Sequence, residues 1–388
     1  MIKRILYTLL IMFPVVASAQ INTDRVMAIG RNALYFEDYV LSIQYFNQVI
    51  NAKPYLSDPY FYRGLAKINL DDFQGAESDC SEAIERNPFV VSAYQVRGLA
   101  RIQQNNFAGA IEDYTKALEF APENIGVWHN MALCRIRQED YKGAKNDLDK
   151  LIAISPRYTK AYLMRGEVDL KQKDTLAAEK DFGKAIEIDR YDADTWASRA
   201  ILRLQQQRYK DAEADFDHAI RLSTRNSGVY INRALARYHQ NNLRGAMSDY
   251  DIALDIDPNN FIGHYNRGLL RAQVGDDNRA IQDFNFVIEM EPDNMMAIFN
   301  RGLLLDQTGD YKGAIKDYST VINEYPNFLL GYQYRAQARR KIGDVKGADA
   351  DEFKVLKAQL DKQNGVDPNK QTADNTENNK TRKKSDKN

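Results

Sequence analysis

The chain has 388 residues, of which 44% are hydrophobic and 28% charged, as in a soluble folded protein. That length exceeds what one ordinary compact core uses and points to several domains or one extended repeat array. A formal net charge of -1 gives no electrostatic case for nucleic acid or for an anionic membrane surface. Two cysteines, Cys80 and Cys134, make no disulfide framework, and no CxxC pair is present for zinc or redox work.

Residues 1–19 read as a signal peptide. Lys3 and Arg4 form its charged start, Ile5 to Val16 its apolar stretch, and Ala17-Ser18-Ala19 its small-x-small cleavage pattern. The apolar stretch of 12 residues is too short to span a bilayer comfortably. Cleavage after Ala19 would start the mature chain at Gln20, exported across the inner membrane to a periplasmic or extracellular place with no transmembrane segment. No cysteine follows the apolar stretch, which argues against a lipoprotein.

From residue 23 a period of 34 takes over. The small residues Gly30, Gly64, Gly98, Ala132, Gly166, Ala200, Ala234, Gly268, Gly302 and Ala336 are each 34 apart. Placed at position 8, they frame ten blocks: 23–56, 57–90, 91–124, 125–158, 159–192, 193–226, 227–260, 261–294, 295–328 and 329–362. Residues 20–22 are a short lead. Position 4 is aromatic in Tyr60, Tyr94, Trp128, Tyr162, Trp196, Tyr230 and Tyr332. Position 20 is alanine from Ala76 to Ala348, position 24 is bulky, as in Phe46, Tyr114 and Phe182, and position 32 is proline in seven copies from Pro54 to Pro326.

Positions 4, 8 and 11 fall on one face of a first helix, and 20, 24 and 27 on one face of a second. A small residue at 8 lets the second helix approach closely. The aromatics at 4 and 24 fill the space beside it, each contributing about 1.5–3 kcal/mol of burial. Proline at 32 ends the second helix, and turn residues such as Gly275-Asp276 and Gly309-Asp310 part the two helices.

This pattern resembles the tetratricopeptide repeat, with its aromatics at 4 and 24, small residue at 8, alanines at 20 and 27 and proline at 32. The resemblance covers about nine-tenths of the chain and implies an all-α, right-handed superhelical solenoid of ten helix-turn-helix repeats. It further implies a non-catalytic scaffold or adaptor whose first helices line a concave face that takes a partner peptide or helix.

Two departures stand out. Position 7 is arginine in Arg63, Arg97, Arg165, Arg199, Arg233, Arg267, Arg301 and Arg335, where the family has leucine. Position 23 is aspartate in nine copies, from Asp79 to Asp351. Matched numbers of opposite charges predict an Arg–Asp ladder that fixes helix register, within a repeat or across neighbours, rather than a charged binding stripe. The fourth repeat keeps Asp147 but has Met131 at position 7. The terminal repeats also deviate, with Val26 at position 4 and Glu352 at position 24, and are expected to act as caps. Residues 363–388 are almost devoid of apolar side chains and read as a disordered polar tail.

The implied lining positions are 2, 5, 6, 9, 12 and 13. Position 5 supplies Phe61, His129, Ile231, Tyr265 and Phe299. Position 6 supplies Asn130, Asn232, Asn266 and Asn300, whose amides both donate and accept as a peptide backbone requires. Position 9 supplies Leu65, Leu99, Leu133, Leu235, Leu269 and Leu303. The Lys-5 and Asn-9 carboxylate clamp of the chaperone-tail binders in this family is not among them.

Catalysis, a metal and a cofactor find no support. The four histidines occupy four different repeat positions without a nucleophile beside them, and no Gly-rich phosphate loop, HExxH or GxSxG motif occurs. Paired carboxylates such as Asp71-Asp72 and Asp276-Asp277 fall at turns, where helix capping accounts for them. A glycan or peptidoglycan fragment is the alternative ligand, but both tryptophans, Trp128 and Trp196, sit at core position 4, and a small-molecule ligand has no other support.

Overall fold

The computed structural model describes residues 22–223 and 225–363. The expected signal peptide, residues 1–19, lies outside them, as do residues 364–388 of the expected polar tail. Gln363, assigned to that tail from sequence, is instead the last residue of a helix. Among the described residues there are twenty α-helices and no strand. The chain divides into two compact units at Arg190–Tyr191.

The first unit holds five helix pairs: α1 (Thr23–Tyr35) with α2 (Tyr39–Ala52), α3 (Asp58–Ile68) with α4 (Phe73–Arg86), α5 (Val91–Gln103) with α6 (Phe107–Phe120), α7 (Ile125–Arg137) with α8 (Tyr141–Ile154), and α9 (Thr159–Lys171) with α10 (Thr175–Ile188). The second unit holds five more: α11 (Ala193–Gln205) with α12 (Tyr209–Leu222), α13 (Ser227–His239) with α14 (Leu243–Ile256), α15 (Phe261–Gln273) with α16 (Asp277–Met290), α17 (Met295–Thr308) with α18 (Tyr311–Glu324), and α19 (Leu329–Lys341) with α20 (Val345–Gln363). Within each unit the second helix of a pair also packs on the first helix of the next.

Local chemistry sets these boundaries. Eight of the ten second helices begin at an Asp or Asn cap whose side-chain oxygen accepts from the backbone N–H three residues on, while α12 begins at Arg208 without one. Asp72 accepts from Gly75 at 2.9 Å, Asn106 from Gly109 at 3.1 Å and Asp310 from Gly313 at 3.0 Å. Asp276 sits at the same place but makes no such cap, and its carboxylate turns to Arg279 instead. Just before each cap, position 15 is left-handed in all ten pairs. Gly275, Gly309 and Gly343 fill it three times; Glu37, Asp71, Asn105, Glu139, Lys173, Gln207 and Asn241 fill it otherwise, with φ near +60°.

The core forms where position 8 meets position 24. Phe46, Tyr114, Phe182, Phe216, Phe284 and Tyr318 are fully buried. Gly98 lies so close to its ring that an added Cβ would stand 2.8 Å from Tyr114 Cε1. Cys80 takes this slot in its own repeat, and burial pushes its thiol up to about 12, while that of Cys134 rises to about 11. Both cysteines are free and buried, consistent with their reading as small core residues.

The Arg–Asp ladder is present and runs within eight of the ten repeats. Eight position-7 arginines pair with the position-23 aspartate of their own repeat at 2.5–2.8 Å, as in Arg63–Asp79, Arg165–Asp181 and Arg233–Asp249. The aspartates are buried, so the ladder is a register device rather than a binding stripe. A second cation at position 11 braces most of them, for example Arg237 on Asp249 at 2.8 Å. Asp283 gathers Arg267, Arg271 and His264, and although burial opposes it, these donors hold its carboxyl below the usual range. Asp147 lacks the position-7 arginine and keeps only Arg135; burial pushes its carboxyl up to about 6.

Candidate interaction surface on the first helices

The expected lining residues lie on the first helices, but the structure divides them. In the first unit Phe61, Leu65, Leu99, His129, Asn130 and Leu133 are half-buried. Phe61 packs into the small core of Tyr60, Ala83 and Ala93. His129 meets Tyr158 edge-on at 5.8 Å, and burial first, then Lys160, pulls its imidazole below the usual range. Asn130 is the polar neighbour of the buried Tyr114 hydroxyl.

In the second unit Ile231 is buried, only 7% exposed, and belongs to the core of Tyr230, Ala234 and Tyr250. That corrects its assignment to the lining: position 5 points inward there. Tyr265 stacks edge-on against Phe284 at 5.8 Å, and Phe299 contacts Tyr318, Phe328 and Tyr334 at 5.1–5.8 Å. Asn300 donates to the Tyr265 hydroxyl at 3.1 Å, a bond between successive first helices. Leu235 and Leu303 are half-buried, whereas Leu269 is exposed. Asn232 and Asn266 are half-buried and make no side-chain hydrogen bond among the described residues.

Position 2, one of the implied lining positions, supplies solvent-facing apolar residues that were not named from the sequence. Ile262, Met296 and Leu330 occupy position 2 of α15, α17 and α19 and are 51, 62 and 50% exposed. In the second to seventh repeats that position holds Asp58, Ser92, Gly126, Lys160, Asp194 and Gly228. The change from polar or glycine to large apolar was readable in the sequence once the copies were aligned. With Asn266 and Leu269 on the same face one and two turns on, the second unit carries an apolar stripe flanked by an unpaired amide.

The tryptophans offer no open platform. Trp196 stacks on His218 at 4.2 Å, and Trp128 Nε1 donates to the Pro122 carbonyl at 2.7 Å. Among the described residues no group of three or more His, Cys, Asp and Glu converges as a metal site would require, and no helix is long and apolar enough to cross a membrane.

Helix pairs repeated in register along the chain define a repeat protein of the protein-interaction class. The chain belongs to the tetratricopeptide repeat family: models described as tetratricopeptide repeat match residues 91–124, 125–158, 159–192, 198–261 and 265–327, together more than half of the chain. No curated protein matches it. Among solved structures it is similar to a tetratricopeptide repeat protein from Parabacteroides merdae, with 21% identity and a TM-score of 0.50 over 64% of this chain and 98% of that one. It is also similar to the C-terminal part of a TPR repeat-containing protein from Cytophaga hutchinsonii, with 17% identity and a TM-score of 0.51 over 61% and 97%. YrrB, described as a TPR protein with an unusual peptide-binding site, aligns at 20% identity and a TM-score of 0.40 over 47% and 95%. These likenesses show the fold alone.

Proposed function

We propose that this protein is a non-catalytic scaffold that holds a partner peptide or helix on the first-helix face of its second unit, and that it works beyond the inner membrane. The observation that carries the reading is the stripe of Ile262, Met296 and Leu330. Three large apolar side chains at one repeat position, on first helices that neighbour one another, are more than scattered surface hydrophobes. Asn232 and Asn266 add amides that can pair with a partner backbone while the apolar residues take its side chains. The export part rests on the sequence of residues 1–19.

The test is affinity capture from the cell-envelope fraction with the wild type and with Ile262→Asp/Met296→Asp/Leu330→Asp. Loss of a captured partner from a variant with wild-type helicity supports the reading. Undiminished capture moves the function to another surface. Retention of the whole protein in the cytoplasm, with residues 1–19 intact, overturns the placement.

A further inference from the structure

Between neighbouring repeats the second helix of one meets the first helix of the next at points that recur. Position 7 reaches position 25 of the preceding repeat: Arg63 Nη1 donates to Asn47 at 2.6 Å, Arg97 to Ser81 at 3.1 Å, Arg233 to Asp217 at 2.7 Å and Arg301 to Asn285 at 2.8 Å. Position 14 reaches positions 17 and 21: Gln104 donates to the Phe73 carbonyl and to Glu77, and Gln240 to the Tyr209 carbonyl and to Glu213. Position 28 packs on position 3, so that a Cβ on Gly331 would stand 2.5 Å from Ile322 Cγ2. At the first point the interior junction is polar; at the second, glutamine donates to a backbone carbonyl while position 17 itself is mostly aromatic or aliphatic, as in Phe73, Tyr209 and Leu243.

At the two ends of the repeat array the first of these points changes character on both sides. Position 7 of the first repeat is Ile29, and position 25 of the last is Phe353. In the other nine repeats position 25 is Asn, Ser, Thr, Asp or Gly. Position 14 of the first repeat is Phe36 and position 17 of the last is Val345, apolar as these positions also are in other repeats, for example Leu70 and Val274 at 14 and Phe73 and Leu243 at 17. All four are exposed, Phe36 by 77% and Phe353 by 67%, and Leu356 at position 28 is exposed beside them. The terminal repeats, expected to act as caps, carry exposed apolar residues at both ends. The two sets match position for position in the frame that joins interior repeats. Residues 363–388 hold only Val366 and Ala373 as hydrophobic residues, so that segment has little to lay over α20.

The geometry points to a second copy of this chain as the occupant: α20 of one copy docks on α1 and α2 of another in the register of an interior junction. Phe353 then meets Ile29, and Val345 meets Phe36. Such a head-to-tail contact is heterologous, so each added copy leaves one end free for the next. Arg25 stands at position 3, where interior copies have small residues such as Ala93 and Gly263. Its stem lies over Leu356 with the guanidinium at the rim, which makes this junction looser than an interior one.

Sedimentation velocity of the full chain over a hundredfold concentration range tests this, with two variants: Ile29→Asp/Phe36→Asp, which spoils the first end, and Phe353→Asp/Leu356→Asp, which spoils the last. The wild type should grow past the dimer as concentration rises, and each variant alone should stay monomeric. An equimolar mixture of the two should stop at the dimer, because each supplies the one end the other lacks. A wild type that is monomeric throughout, a variant that still self-associates alone, or a mixture that stays monomeric overturns the proposal. Should a double variant lose helicity, Ile29→Asp and Phe353→Asp singly serve the same crossed mixture.

Discussion

Lys145 and Asp169 form an ion pair across a repeat junction with their charges exchanged relative to Glu77 and Arg101, which occupy the same two positions in other repeats. Glu213 and Arg237 repeat the Glu77–Arg101 polarity at 2.7 Å. Where this contact is ionic it takes either order of charge, and at other junctions position 21 is apolar, as in Ile111 and Met247. Asp169 is buried while Lys145 is half-exposed, so the carboxylate depends on its partner. Lys145→Glu alone should set two carboxylates against each other and cost about 1–3 kcal/mol. Adding Asp169→Arg should recover most of that loss and give the new arginine access to Asp181, as position-11 cations have elsewhere. Urea unfolding of the single and double variants measures it; a double variant no better than the single removes the pair from the account of the junction.

The ladder itself yields a second prediction. Asp249 is buried and accepts from Arg233 and Arg237. Asp249→Asn leaves two guanidinium groups facing a neutral amide and should cost about 2–4 kcal/mol. Arg233→Met/Asp249→Leu removes the pair from both sides, as Met131 does from one side in the fourth repeat. Arg237 still keeps Glu213 at 2.7 Å. The double change should lose less than the single one in the same unfolding assay, and the reverse order would mean that the charges add net stability.

Both pairs show how much was legible from sequence. Arginine and aspartate recurring at fixed positions announced the ladder, but spacing alone left open whether each arginine served its own aspartate or a neighbour's. The structure resolves this with both answers: two nitrogens of Arg233 bind Asp249 in its own repeat, and the third reaches Asp217 in the preceding one. The lining was less legible. Ile231 shares position 5 with half-buried residues, and only the packing of α13 against its neighbours turns it inward. Asn300 reads as a free amide until Tyr265 on the preceding first helix accepts from it. The position-2 stripe was visible in the sequence as a change of residue type but gained meaning only from its exposure.

Asp147 makes stability depend on pH in an unusual direction. Its carboxyl is raised to about 6, first by burial, so the folded chain holds a proton there that the unfolded chain has already released near pH 4. A raised folded value means that the contribution is full below the unfolded value and is lost as pH rises through about 6. The wild type should therefore lose stability between pH 4 and 6 relative to Asp147→Asn, by up to about 3 kcal/mol. Met131→Arg should shrink the same difference by restoring the missing partner, with Thr115 placed to accept from it as Ser81 accepts from Arg97; burial still raises Asp113 beside both of its arginines. Unfolding midpoints at pH 4, 5, 6 and 7 check this, and parallel curves for wild type and Asp147→Asn would refute it.

The left-handed residue at position 15 was hidden by its variety. Three glycines mark it, but seven other residues adopt φ of 59–64° there, each carrying a Cβ that the conformation disfavours. The penalty is about 1 kcal/mol per residue, against which glycine gives up some entropy of the unfolded chain. Lys173 and Gln207 have neither the short polar side chain nor the flexibility that eases this conformation. Gln207→Gly should therefore raise stability by about 0.5 kcal/mol, and Gly309→Ala, at φ 94° with open space around the new Cβ, should lower it by about 1 kcal/mol through backbone strain alone. Because no neighbour crowds Gly309, a loss there cannot come from packing, and thermal unfolding of the two variants side by side separates conformational strain from contact. A neutral Gly309→Ala would show that the turn relaxes to another conformation at little cost.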